Sequence, residues 1–66
     1  MKLSQVKKNM HKNVLYDNGV YLLRSCVLWL DEKNCEFKYS LNLLDKNKNT
    51  VLTVPIEKVE VINHDL

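Results

Sequence analysis

The chain has 66 residues, 45% of them apolar, a formal net charge of +2, two cysteines, one Gly and one Pro. That is room for one domain, residues 1–66 with a core over about 3–62, near the lower size limit for folding without disulfides, metal or a partner. It excludes a disordered chain, and the small net charge lacks the electrostatic footprint of a dedicated nucleic-acid binder. Ordering costs on the order of 1.5 kcal/mol per residue, so the margin of stability is narrow and self-association is expected to contribute.

In chain order, Leu3, Val6 and Met10 stand at helical spacing after Ser4, a residue suited to a cap, which predicts a short helical turn lying over the core. Lys12-Asn13-Val14-Leu15-Tyr16 then reads as a strand, and Asn18-Gly19 supplies the positive φ angles of a tight hairpin. Val20 to Leu30 is a long second strand rich in β-branched and aromatic residues, stopped by Asp31-Glu32-Lys33-Asn34. From Cys35 to Leu44 the pattern alternates, placing Phe37, Tyr39, Leu41 and Leu43 on one half-buried face. Asp45 to Asn49 forms the next turn and Thr50 to Val54 the fourth strand, ended by Pro55, which lacks the amide a ladder needs. Ile56 to Val59 is a single turn, and Glu60-Val61-Ile62 a short last strand.

Five strands in meander order, with a helical turn at the start and a tight turn before the last strand, predict an all-β fold: a small five-stranded SH3-like barrel with a short N-terminal helical turn. Closing the sheet would also protect strand edges.

The stretch Leu3-Ser4-Gln5-Val6-Lys7-Lys8-Asn9-Met10, the stretch Tyr21-Leu22-Leu23-Arg24-Ser25-Cys26-Val27-Leu28, and Tyr39 through Asp45 resemble short uncharacterised SH3-like proteins carried by phages and conjugative elements of low-GC Gram-positive bacteria. The likeness runs from Leu3 to Ile62 and departs at Asn9, where Gly is expected, and at Trp29, where a polar residue is expected. It concerns core and turn positions. It implies the fold and a mobile-element origin, and brings no activity, ligand or catalytic residue with it.

No residue set suggests catalysis, so the chain is expected not to be an enzyme and to need no cofactor. His11 and His64 lie in the first and last segments away from any nucleophile motif, and Asp31 with Glu32 reads as a solvated turn. Gly19 alone makes no phosphate loop, and neither Cys-x-x-Cys nor a paired His motif offers a metal site. Met1 to Val6 shows no secretory pattern and no stretch reaches roughly 18 apolar residues, so a cytoplasmic setting with reduced thiols is expected and no membrane or small-molecule partner.

Two binding surfaces remain. If Asp31 to Asn34 is the loop, Leu30 faces Cys35, Leu28 faces Phe37 and Cys26 faces Tyr39, which leaves Trp29 and Val27 pointing outward beside Glu36 and Lys38. Arg24 would then point inward, so a bulge is expected near Ser25 or Cys26 that turns Tyr21 and Leu23 in. The candidate protein-binding residues are Trp29 and Val27, with Tyr21 and Leu23 beside them. They suit a non-catalytic interaction module that binds and modulates a larger host protein, such as a defence component, or that pairs with itself. The alternative is a small nucleic-acid-binding barrel contacting phosphate through Lys2, Lys7, Lys8 and Lys12, although no aromatic residue interleaves with them.

Overall fold

The computed structural model describes residues 1–45, 47 and 50–62. In chain order these form helix α1 (Leu3–Asn9), strands β1 (Asn13–Tyr16), β2 (Gly19–Asp31), β3 (Glu36–Asp45) and β4 (Thr50–Pro55), a 3-10 turn (Ile56–Lys58), and β5 (Val59–Val61). The strands make one antiparallel sheet in the order β4-β3-β2-β1-β5. This is the SH3-like arrangement expected from the sequence, an all-β fold with β1 between β2 and the late strand β5. Among the described residues no ladder joins β4 to β5, so the sheet stays open at that seam. Of the expected turn from Asp45 to Asn49, Lys46, Lys48 and Asn49 lie outside the described residues, as does His64.

Several local expectations shift. Ser4 sits inside α1 and does not cap it; the Gln5 side chain accepts from the Lys2 amide instead, at 2.9 Å. The helix ends where Asn9 Nδ2 closes on the Gln5 carbonyl at 2.7 Å and His11 turns left-handed, φ 64°. In the first hairpin the positive φ angles fall on Asp17 (49°) and Asn18 (62°), so the two-residue turn sits one position earlier than Asn18-Gly19. Gly19 instead opens β2 opposite Tyr16, and its lack of a side chain leaves room for the Tyr21 ring, which a Cβ would approach to 3.0 Å.

The core contains Val6 from α1, Val14, Leu23, Leu41, Leu43, Val54 and Val59, all buried. The sheet's inner face supplies six of these, and α1 lies over them through Val6, with Met1 and Met10 packed at the margin. Leu3 was expected to join them and is exposed: a seven-residue helix turns only one stripe toward the sheet, and Val6 lies on it.

β2 pairs with two different neighbours along its length. Gly19 to Leu22 lie against β1, while Leu22 to Asp31 lie against β3. A bulge falls between Leu23 and Ser25, so Arg24 is the extra residue. The irregularity lies within a residue or two of where burial of Arg24 would have demanded it: Leu23 turns into the core and Arg24 is exposed. Beside it Ser25 Oγ accepts from Asn42 Nδ2 at 2.7 Å, and Asn42 Oδ1 accepts from Thr53 Oγ1 at 2.8 Å. This chain of side chains crosses three strands on the outer face and holds the register at the irregular point.

Candidate interaction surface

The far end of the β2–β3 hairpin outruns the rest of the sheet. β4 reaches only as far as Ser40, which pairs with Pro55, and β1 leaves β2 at Leu22. Among the described residues, 28–31 and 36–39 therefore pair only with each other and form a two-stranded arm. Its four rungs span about 10 Å along the strands. The register is Leu28↔Tyr39, Trp29↔Lys38, Leu30↔Phe37 and Asp31↔Glu36. Each pair differs from the expected alignment by two positions, because the turn comprises Glu32 to Cys35 and not Asp31 to Asn34. A shift of two preserves side-chain direction, so every residue keeps its expected face.

The tip explains the shift. Asp31 accepts from the Lys33 amide and from Asn34 Nδ2, both at 3.1 Å, and Cys35 closes the turn in the left-handed region, φ 53°. Asp31 Oδ2 also meets Lys38 Nζ at 3.0 Å. The Lys38 hydrogen bond, then Asn34 and Lys33, hold the Asp31 carboxyl below the usual range against a smaller opposing effect of desolvation, and Asp31 in turn pushes Lys38 up.

Trp29 and Val27 do point outward. The indole is 42% exposed, and its Nε1 donates to Ser40 Oγ at 2.8 Å, so the ring is anchored in one orientation over a buried hydroxyl. The other two members of the expected patch do not join them. Leu23 is 0% exposed, turned into the core by the bulge. Tyr21 pairs with Val14 on the inner face, packs against the core and meets Tyr16 edge-on at 6.0 Å between ring centres. Both lie before the bulge, where the strand's faces are reversed relative to Trp29.

The arm's other face carries what sequence reasoning missed. Leu28, Leu30 and Phe37, assigned to the buried side, are 54%, 49% and 70% exposed. They do lie on the inner face, in line with Cys26 and Leu41, but among the described residues none of the core packs beneath them. The only available signal was length: a ten-residue strand opposite a six-residue one must overhang it.

At the opposite end, Lys2, Lys7, Lys8 and Lys12 are exposed, with Lys7 and Lys8 in the last turn of α1. Lys2 shares a shallow recess with Met1, Gln5, Val61 and two carboxylates, Glu57 and Glu60. Acidic side chains therefore stand near one of the four lysines. Cys26 faces Leu41, six positions from Cys35, or about 20 Å of strand, far beyond disulfide reach. Both thiols are free, and partial burial pushes Cys26 up. Among the described residues no three His, Cys, Asp or Glu side chains converge on a point that would hold a metal ion, and no helix is long and apolar enough to cross a membrane. Comparisons with protein families, with curated proteins and with solved structures find no match to this chain.

Proposed function

We propose that this protein is a non-catalytic interaction module that binds a larger protein through the outer face of its arm, with Trp29 and Val27 as the contact residues. The observation that supports this reading is the anchored indole: an exposed tryptophan held by Ser40 on a projecting two-stranded element offers a large apolar surface with little side-chain entropy left to lose. Its flank of Asp31, Lys38 and Glu36 provides the polar rim that such contacts use. The resemblance to mobile-element proteins favours a host protein as the target, modulated or inhibited by occupation. Nucleic acid is the weaker reading, because Glu57 and Glu60 stand beside Lys2 and no aromatic side chain interleaves with Lys7, Lys8 and Lys12.

The test is capture from a nuclease-treated lysate with the wild-type chain and with Trp29→Ala. A protein retained after nuclease by the wild type and lost by the variant, whose melt stays cooperative, is the expected outcome. Retention that depends on nucleic acid, or that ignores the substitution, overturns the assignment.

A further inference from the structure

We propose that two copies of this chain join along the open main-chain edge of β2, residues 24–31 of one pairing antiparallel with the same segment of the other. This goes beyond the reading above: the contact is made by the side of the strand, not by the outer face through which Trp29 meets another protein.

β2 loses its neighbour β1 after Leu22, and the last main-chain bonds on that side join Leu23 to Lys12 and His11, at 2.9 and 2.8 Å. From there to Asp31 the strand pairs with β3 alone, so among the described residues no strand takes up the amides and carbonyls of its other side. Such groups alternate along the strand, and the structure that satisfies them in order is another strand. The sheet's other free edges are shorter or blunted. β5 has three residues, β4 ends at Pro55, and β3 from Glu36 to Tyr39 carries two charged side chains, Glu36 and Lys38. Distal β2 offers eight residues with no charge between Arg24 and Asp31. Val27, Leu28, Trp29 and Leu30 are between 40% and 54% exposed, four in succession, and successive side chains of a strand point to opposite faces, so this one is bare on both.

The order of charges selects the occupant. Arg24 stands at the amino end of the open stretch and Glu32 just past its carboxyl end, both exposed. A strand laid antiparallel along it must bring an acid to Arg24 from its own carboxyl end and a base to Glu32 from its own amino end. That is the order β2 itself carries. With Leu28 on a twofold axis, Arg24 lies opposite Glu32 of the partner subunit, Cys26 opposite Leu30 of the partner subunit and Val27 opposite Trp29 of the partner subunit. Each smaller apolar side chain then meets a larger one on its own face of the sheet. The segment is already extended in the single chain, so pairing has little left to order. A twofold axis also uses both edges at once, which closes the assembly at two copies.

The test is sedimentation equilibrium of the full chain up to about 100 μM, a range that reaches weak association. It is run with a reductant, so that Cys35 forms no disulfide, and at low salt, where exposed charges are least screened. The wild type should reach dimer mass. Arg24→Glu and Glu32→Arg each set like charges together at both symmetry-related contacts, and each should weaken the dimer about 5-fold or more. The double variant restores opposite charges and should return to about the wild-type value. Leu28→Lys, which brings two lysines together on the axis, should abolish the dimer, whereas Phe37→Lys, on the inner face of β3 and away from the open edge, should leave it in place. Hydrogen exchange should slow at alternate amides between Ser25 and Asp31 as concentration rises. A wild type that stays monomeric, a dimer that the charge variants do not weaken or the double variant does not restore, a dimer lost in Phe37→Lys, or growth beyond two copies overturns the proposal. A monomer that still captures a protein through Trp29 would sink the pairing while leaving the function above intact.

Discussion

Leu43 and Phe37 lie on the same strand and the same face of the same sheet, yet Leu43 is 0% and Phe37 70% exposed. Their neighbours are equally alike: Leu43 faces Leu23 and Phe37 faces Leu30. What separates them is a second layer. Over Leu43 the sheet curls through β1 and β5, and α1 comes down through Val6; over Phe37 no element of the described residues forms a second layer. Cross-strand pairs orient side chains, contributing roughly 0.2–1 kcal/mol each, but it is burial between layers that supplies the larger stabilisation.

Removing the body's covering layer should make it resemble the arm. A chain lacking residues 1–10 loses Val6 and the packing of Met1 and Met10, with full burial of such a side chain contributing roughly 1.5–3 kcal/mol. In a domain of this size that approaches the whole margin. The expected result is loss of a cooperative thermal transition in circular dichroism; a truncated chain melting within a few degrees of the parent would show that α1 is not needed to cover the sheet.

Equal truncations in the two regions should separate by several-fold. Leu41→Ala should cost about 2–5 kcal/mol, as removal of a buried leucine does. Phe37→Ala, measured by urea titration at concentrations where the chain is monomeric, should cost less than about 1 kcal/mol because its ring is already in water. Similar losses at the two sites would mean that the arm is covered even in the single chain.

The smallest effect belongs to the arm's tip. Asp31 titrates below its ordinary value because Lys38 hydrogen-bonds its ionised form, so its stabilising contribution is present above the unfolded carboxyl value and disappears as pH falls through the lower folded one. Trp29 emission, followed between about pH 5 and pH 2, should report a change local to the arm. Asp31→Asn should abolish that change and leave the midpoint of the body's melt nearly untouched. An unaltered titration in the variant would assign it to another carboxyl.

Much of this was legible in the sequence, and what was not has a common cause. Alternation from Phe37 to Leu43 fixed which way each side chain points, Pro55 marked the end of β4, and an arginine in an apolar run announced the bulge. All of these are local steric or solvation facts. The number of residues in each turn was less accessible: Asp17-Asn18 and not Asn18-Gly19 takes the left-handed angles, and Cys35, a residue with no particular liking for that region, closes the second turn. The exposure of Leu28, Leu30 and Phe37 was hidden for a different reason. Periodicity reports a face, whereas coverage depends on where distant strands end. The bulge turns Tyr21 and Leu23 inward, as the position of Arg24 led one to expect, so of the candidate patch only Trp29 and Val27 share the outer face.

That bulge also makes β2 a composite of two reading frames. Before Arg24 the odd-numbered residues Tyr21 and Leu23 face inward; after it the even-numbered Cys26, Leu28 and Leu30 do. Loss of Arg24 alone would make Leu23 and Ser25 consecutive opposite Leu43 and Asn42, a regular ladder in which Val27 and Trp29 still face outward and Leu28 and Leu30 inward. The pairing with β3 therefore sets what the arm displays, and the extra residue is absorbed where β2 passes from the body to the arm. What would exchange the two faces is the opposite change: with Arg24 retained and paired opposite Asn42, the whole arm would slip one position against β3 and turn Trp29 and Val27 inward.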